Sequence, residues 1–251
     1  MSSGKLADKV AIVTGGGSGV GEATCERLAR AGAAVVVADI NLVTAEQTAE
    51  RIRVEGHQAI AARFDLLDAE SINALAATAM ARFGRIDVLH NNAVNNAPEV
   101  FHRDGGFLEM DSEVWDKIFA GNVRGQMELT RAVVPHMIAG GRGGSIINTS
   151  SGAGTNGQMT MSAYGASKGA LNSMTHYMAV QFAPHKIRCN TLILPAVLTR
   201  GLETLFTAEQ VERLINQSLL KEPTRPDDIA AVVEFLASDD SRVITGKLWA
   251  I

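Results

Sequence analysis

Aromatic side chains are scarce in this chain of 251 residues: two Tyr, two Trp and eight Phe. Chemistry that needs a phenol therefore has two candidates, Tyr164 and Tyr177. Cysteine is equally rare, with Cys25 and Cys189 far apart and in no CxxC spacing. A disulfide framework and a thiolate zinc site drop out, and two reduced thiols fit a reducing, cytoplasmic setting. No apolar run approaches the ~18–20 residues of a membrane span, and the start, Met1-Ser2-Ser3-Gly4-Lys5, has no signal-peptide core. The formal net charge is only -4, too small and of the wrong sign for a nucleic-acid partner. The six histidines show no ligand spacing, so no metal is expected, and His90, inside an apolar run, reads as a core residue.

What is present is a repeated alternation. β-Branched runs at Lys9–Thr14, Ala33–Asp39, Gln58–Asp65, Ile86–Asn91, Ser145–Ser150, Ile187–Leu194 and Lys247–Ile251 predict seven strands. Helical patterns separate them, including a long one from Ser112 to about Met137 and another over Ser162–Phe182. Gly201–Leu220 predicts two short helices on an excursion, and Pro226–Ala237 a further helix. Continuous apolar strands between helices imply a parallel sheet covered on both faces. The expectation is α/β: a single doubly wound domain over residues 1–251, with a substrate-binding loop at about 199–224.

The first strand runs into Thr14-Gly15-Gly16-Gly17-Ser18-Gly19-Val20-Gly21 and then a helix. Glycines there let backbone approach a ligand, and the helix N-terminus offers free N–H groups to a pyrophosphate. Asp39 ends the second strand, where a carboxylate accepts from the ribose hydroxyls of an adenine nucleotide. A carboxylate repels a 2′-phosphate, and no Lys or Arg follows in Ile40-Asn41-Leu42, which favours NAD (NADH) over NADP. The bland alternative is that Asp39 only caps the next turn.

Tyr164-Gly165-Ala166-Ser167-Lys168 places a lysine one helical turn beyond a tyrosine. An ammonium beside a phenol favours the phenolate, which can take a proton from an alcohol or return one to a ketone. Ser151, just past the fifth predicted strand, has a hydroxyl that can bond the same substrate oxygen. Ser150 competes for that role, and either serine can simply cap the turn.

Taken together, TGGGSGVG, Asn91-Asn92-Ala93, Asn122, and Ser151, Tyr164 and Lys168 in that order resemble the short-chain dehydrogenase/reductase family in its simple form. The resemblance spans Lys5 to Gly246. It implies that Tyr164 donates and accepts the proton, that Lys168 lowers the phenol's pKa and binds the nicotinamide ribose, and that Ser151 orients the substrate oxygen. Asn122 would bend its helix and hold a water in a relay to Lys168. Gly15, Ser18, Gly19, Val20, Gly21, Asp39, Ile40, Asp65, Leu66, Asn92, Ala93, Val94, Thr149, Pro195, Leu198 and Thr199 would contact the cofactor, with Tyr164 and Lys168. The sequence departs from the family at Val94 and Ala196, where glycine is usual, and at Arg200, where threonine is.

Leu202, Leu205, Phe206, Val211, Leu214, Leu219 and Leu220, with Met159 and Met161, suggest an apolar pocket, unless they pack on the core. Arg200 either pairs with an anionic substrate group or is solvated. The leading expectation is an NAD-dependent dehydrogenase acting on a small apolar alcohol or ketone, as a homodimer or homotetramer, with neither nucleic acid nor membrane as partner. A 3-oxoacyl thioester reductase is the alternative within the class. A catalytically silent dinucleotide-binding scaffold or redox sensor is the alternative outside it.

Overall fold

Runs of Val, Ile and Ala without polar alternation become strands here because both of their faces are covered. β1 (Val10–Thr14) is buried along its whole length and pairs in parallel with β2 (Ala34–Asp39) and β4 (Val88–Asn91). With β3 (Ala59–Arg63), β5 (Gly144–Ser151), β6 (Ile187–Leu194) and β7 (Leu248–Ala250) they form one seven-stranded parallel sheet, ordered β3-β2-β1-β4-β5-β6-β7. The computed structural model describes residues 4–95, 97–216 and 218–251.

Parallel neighbours need crossovers, and helices supply them on both faces. On one face α1 (Gly19–Arg30), α2 (Leu42–Val54) and α10 (Pro226–Ala237) bury Leu28, Ala45, Ile229 and Val233 against Val35 and Val37. On the other, α3 (Ala69–Phe83), α6 (Gln126–Gly140) and α7 (Ser162–Phe182) bury Leu75, Leu129, Met137 and Met178 against Val36 and Ile146. Local signals set several ends. Asn41 caps α2 by accepting from Val43 and Thr44 N–H groups, Asp68 caps α3 through Glu70, and Gly84, with φ of 72°, ends α3.

The long helix predicted from Ser112 is α5 (Ser112–Phe119) continued through a π-helical stretch, Ala120–Gly125, into α6. A one-turn helix not foreseen, α4 (Pro98–Phe101), lies in the loop after β4. The excursion carries α8 (Arg200–Leu205) and α9 (Ala208–Asn216). Its base is closed by Leu198 N–H donating to the Thr224 carbonyl at 2.9 Å. Strand order reverses between β1 and β4, so a crevice opens outside their carboxyl ends. Among the described residues no helix is long and apolar enough to cross a membrane.

Candidate active site

One wall of the crevice is made of backbone. Gly15 and Gly19 take φ of 66° and 54°, and a Cβ on Gly21 would stand 2.0 Å from the Gly15 carbonyl oxygen. Only glycine lets α1 begin this close to β1. Ser18 is the N-cap of α1 but makes no capping hydrogen bond with its side chain, which leaves first-turn N–H groups for an outside acceptor. Asp39 Oδ2 accepts from Gly17 N–H and Oδ1 from Asn41 N–H, each at 2.9 Å. The turn-capping reading is therefore realised, and the carboxylate keeps lone pairs for further donors. Ile40 beside it is exposed.

The next loops lock onto this wall. Thr14 Oγ1 accepts from Asn92 and Ala93 N–H groups, and Asn92 Nδ2 donates to the Thr14 carbonyl, all at 3.0 Å. Gln126 Nε2 holds the Ala93 carbonyl at 3.0 Å, and Val94 follows, partly exposed. Asp65 Oδ1 accepts from Leu67 N–H at 2.9 Å, while the Leu66 side chain is buried in the core. After β6, Pro195 and Leu198 are partly buried, and Thr199 faces the glycine turn: a Cβ on Gly19 would lie 3.2 Å from Thr199 Cγ2.

The opposite wall carries the titratable groups. Tyr164 and Lys168 share a face of α7. Lys168 is almost wholly buried, its Nζ donating to the Thr149 carbonyl at 2.9 Å and lying 5.6 Å from the Tyr164 ring centroid. Burial pushes this ammonium down to about 8. Tyr164 is partly exposed as a residue, yet burial raises the pKa of its phenol, partly countered by the Ser151 hydroxyl. Spacing along the helix implies a phenol lowered by lysine, whereas in this chain by itself desolvation of the phenolate dominates.

Geometry also separates the two serines. Ser150 is buried and donates to the Lys168 carbonyl, bracing α7 on the sheet, and Ser151 is the one beside the phenol. Asn122 sits fully buried in the π-helical stretch. Its Oδ1 accepts from Asn95 N–H at 2.8 Å, and its Nδ2 donates to Ser167 Oγ at 3.2 Å. Ser167 in turn donates to the Tyr164 carbonyl at 2.7 Å. The asparagine is thus tied to the tyrosine's helix through Ser167, a link that sequence spacing does not show.

Aromatic rings missed as a group extend from the phenol. Phe101 on α4 meets Tyr164 edge-on at 5.7 Å between centroids, and Phe206, just past α8, meets Phe101 edge-on at 6.2 Å. Met159, Leu219 and Leu220, expected to line an apolar pocket, instead point to solvent. Arg200 is exposed. His90 is buried in β4 with Nε2 3.0 Å from Thr149 Oγ1, and burial holds its pKa near about 3. Among the described residues no group of three or more His, Cys, Asp or Glu is placed to hold a metal.

A glycine turn together with a tyrosine and a buried lysine one helical turn apart, on a parallel sheet of this order, defines a class: the dinucleotide-binding oxidoreductases. Residues 9–210 match the family described as short chain dehydrogenase, and the chain belongs to the short-chain dehydrogenase/reductase family. It is 40% identical over 99% of its length to a probable short-chain type dehydrogenase/reductase of Bradyrhizobium diazoefficiens, covering 87% of that protein. It is 31% identical over 98% of its length to 7alpha-hydroxysteroid dehydrogenase of Escherichia coli, covering 94% of that protein. A solved 7α-hydroxysteroid dehydrogenase, complexed with NADH and 7-oxo glycochenodeoxycholic acid, superposes with a TM-score of 0.92 at 31% identity, covering 100% of this chain and 96% of that one.

Proposed function

We propose that this chain is an NAD-dependent dehydrogenase that interconverts a secondary alcohol and a ketone. Residues 1–251 would form one dinucleotide-binding unit with a substrate loop at about 199–224. The observation that carries the reading is the pairing of Tyr164 with Lys168, whose Nζ lies 5.6 Å from the ring centroid, next to Ser151 at the carboxyl end of β5, in the same parallel sheet whose first strand runs into the glycine turn. The open N-terminus of α1 and the Asp39 carboxylate fit the pyrophosphate and adenine ribose of a dinucleotide. Asp39 without a following cation favours NAD over NADP.

The glycine turn and Asp39 would hold the dinucleotide, whose nicotinamide would supply hydride acceptance from, or donation to, the carbinol carbon. Tyr164 takes the hydroxyl proton as alcohol becomes ketone and returns it in the reverse direction. Ser151 donates a hydrogen bond to the same oxygen, holding it against the phenol. Lys168, fixed on the Thr149 carbonyl, would stabilise the phenolate and help hold the nicotinamide ribose. Asn122 keeps α7 in register and belongs to the proton path behind Lys168. The edge-on row Tyr164–Phe101–Phe206 favours a cyclic, apolar substrate, and the hydroxysteroid relatives support that class. Exposed Tyr177 and Val180 on α7 suit a homodimer or homotetramer in the cytoplasm.

The test is a panel of secondary alcohols, including a 7α-hydroxysteroid and simple cyclohexanols, with NAD and NADP, followed at the absorbance band of reduced nicotinamide. Turnover with NAD at least about tenfold better than with NADP is expected. A preference for NADP contradicts the Asp39 argument. NADH binding with no turnover across the panel favours the silent scaffold.

A further inference from the structure

The start of α7 is not capped by its own sequence. Its N-cap, Met161, has φ of 63° and makes no side-chain capping hydrogen bond. The N–H groups of its first turn are instead met by a loop that precedes them by nearly 60 residues. Asp104 Oδ1 accepts from Ala163 N–H at 2.9 Å and Oδ2 from Tyr164 N–H at 2.8 Å. The Asp104 carbonyl accepts from Met161 N–H at 2.8 Å, and the Gly105 carbonyl accepts from Ser162 N–H and from its hydroxyl.

Asp104 is 4% exposed, and among the described residues no Lys, Arg or His forms an ion pair with it. Its neighbour Arg103 is committed to Asp111 and Glu113. A buried carboxylate without a cation is expensive unless its oxygens are fully engaged, and here helix N–H groups and the helix dipole engage them. The same short segment carries Phe101, whose ring packs on the phenol. Tyr164 is therefore gripped by one loop at both its backbone N–H and its ring.

We propose that Asp104 is a positioning residue for Tyr164: by clamping the first turn of α7 it holds the phenol at depth beside Ser151 and Lys168. The proposal rests on the reading of Tyr164 as the acid–base group, and its test does not depend on turnover. The chain has only two tyrosines, and Tyr177 is largely exposed. In a Tyr177→Phe background, phenolate absorbance in the near ultraviolet reports Tyr164 alone. Lys168 Nζ from α7 lies 5.6 Å from the centroid of that ring and Ser151 from β5 stands by its hydroxyl, while Asp104 holds the backbone N–H of the same residue.

Asp104→Ala and the milder Asp104→Asn, which keeps one acceptor oxygen, are titrated beside the parent, with circular dichroism to confirm folding. Loosening the clamp hydrates the phenol, so the midpoint falls toward the ordinary ~10, by at least roughly half a unit in the Ala variant and less in the Asn variant. With an alcohol from the panel that the parent oxidises, kcat falls roughly tenfold for Ala and less for Asn, while the NADH Kd stays within about twofold. An unchanged midpoint in folded Asp104→Asn and Asp104→Ala overturns the proposal. Turnover that persists in Tyr164→Phe overturns the underlying reading instead, whatever the titration shows.

Discussion

The two walls of the crevice are built by different means. The β1–α1 wall is backbone: glycines without Cβ atoms, helix N–H groups, and one carboxylate bracing the turn from the neighbouring strand. The α7 wall is side chain: a phenol, an ammonium and a hydroxyl, held by partners from β5, the π-helical stretch and the loop after β4. Backbone presents fixed donors that suit an invariant cofactor. Side chains allow burial to tune proton affinity and leave the rings beyond free to vary with substrate. The difference predicts that damage to each wall will be read by a different assay.

The largest effect is expected from Gly21→Ala. Its Cβ would stand 2.0 Å from the Gly15 carbonyl, so α1 must shift away from β1. A stability loss of about 3 kcal/mol and at least ~100-fold weaker NADH binding are expected by denaturant unfolding and fluorescence titration. Near-parent binding would dissolve the contrast between the walls.

His90 tests the seam between them, since its carbonyl accepts from Thr14 Oγ1 and its ring meets Thr149. Its folded pKa of about 3 lies below the ordinary 6.5. As pH falls from 6.5 toward 3 the unfolded chain gains a proton that the folded chain refuses, so stability is lost in that window and unaffected above it. Between pH 7 and 5 this residue's share is about 2 kcal/mol, and His90→Val, measured by urea unfolding at both values, lacks it.

Asp39→Ala sharpens the cofactor side, with about a tenfold fall in the preference for NAD over NADP expected from kcat/KM ratios. The smallest effect falls on the substrate side. Phe206→Ala should raise KM for a cyclic alcohol about fivefold, with NADH affinity unchanged, because the ring touches Phe101 at the far end of the row. A matching loss of NADH binding would mean the walls are not separable.

The same contrast explains what was legible beforehand. The glycine turn and Asp39 lie within two strands and a helix, so neighbouring residues reveal them, and local caps such as Asn41 and Asp68 follow from residue type. The succession of strands and helices and the excursion at Arg200–Asn216 follow from apolar runs and helix breakers, while the order of strands across the sheet appears only in the structure. The α7 wall was legible only as isolated letters. Which serine faces the phenol depends on which side of β5 each occupies at its twisted end. The direction of the Tyr164 shift depends on burial depth, which i,i+4 spacing does not encode. Asp104 and Phe101 meet Tyr164 only after the chain has folded, Asp104 across 60 residues, and no local pattern marks them; Phe206 stands out in sequence only as one of several apolar residues of the excursion.

In the proposed function Tyr164 moves the proton while the backbone wall binds the dinucleotide independently. Steady-state oxidation by Tyr164→Phe, paired with an NADH binding titration, tests this most directly. Turnover is expected to fall by about a thousandfold with the NADH Kd within about twofold of the parent. Retained turnover, or binding and turnover lost together in a folded protein, would contradict it.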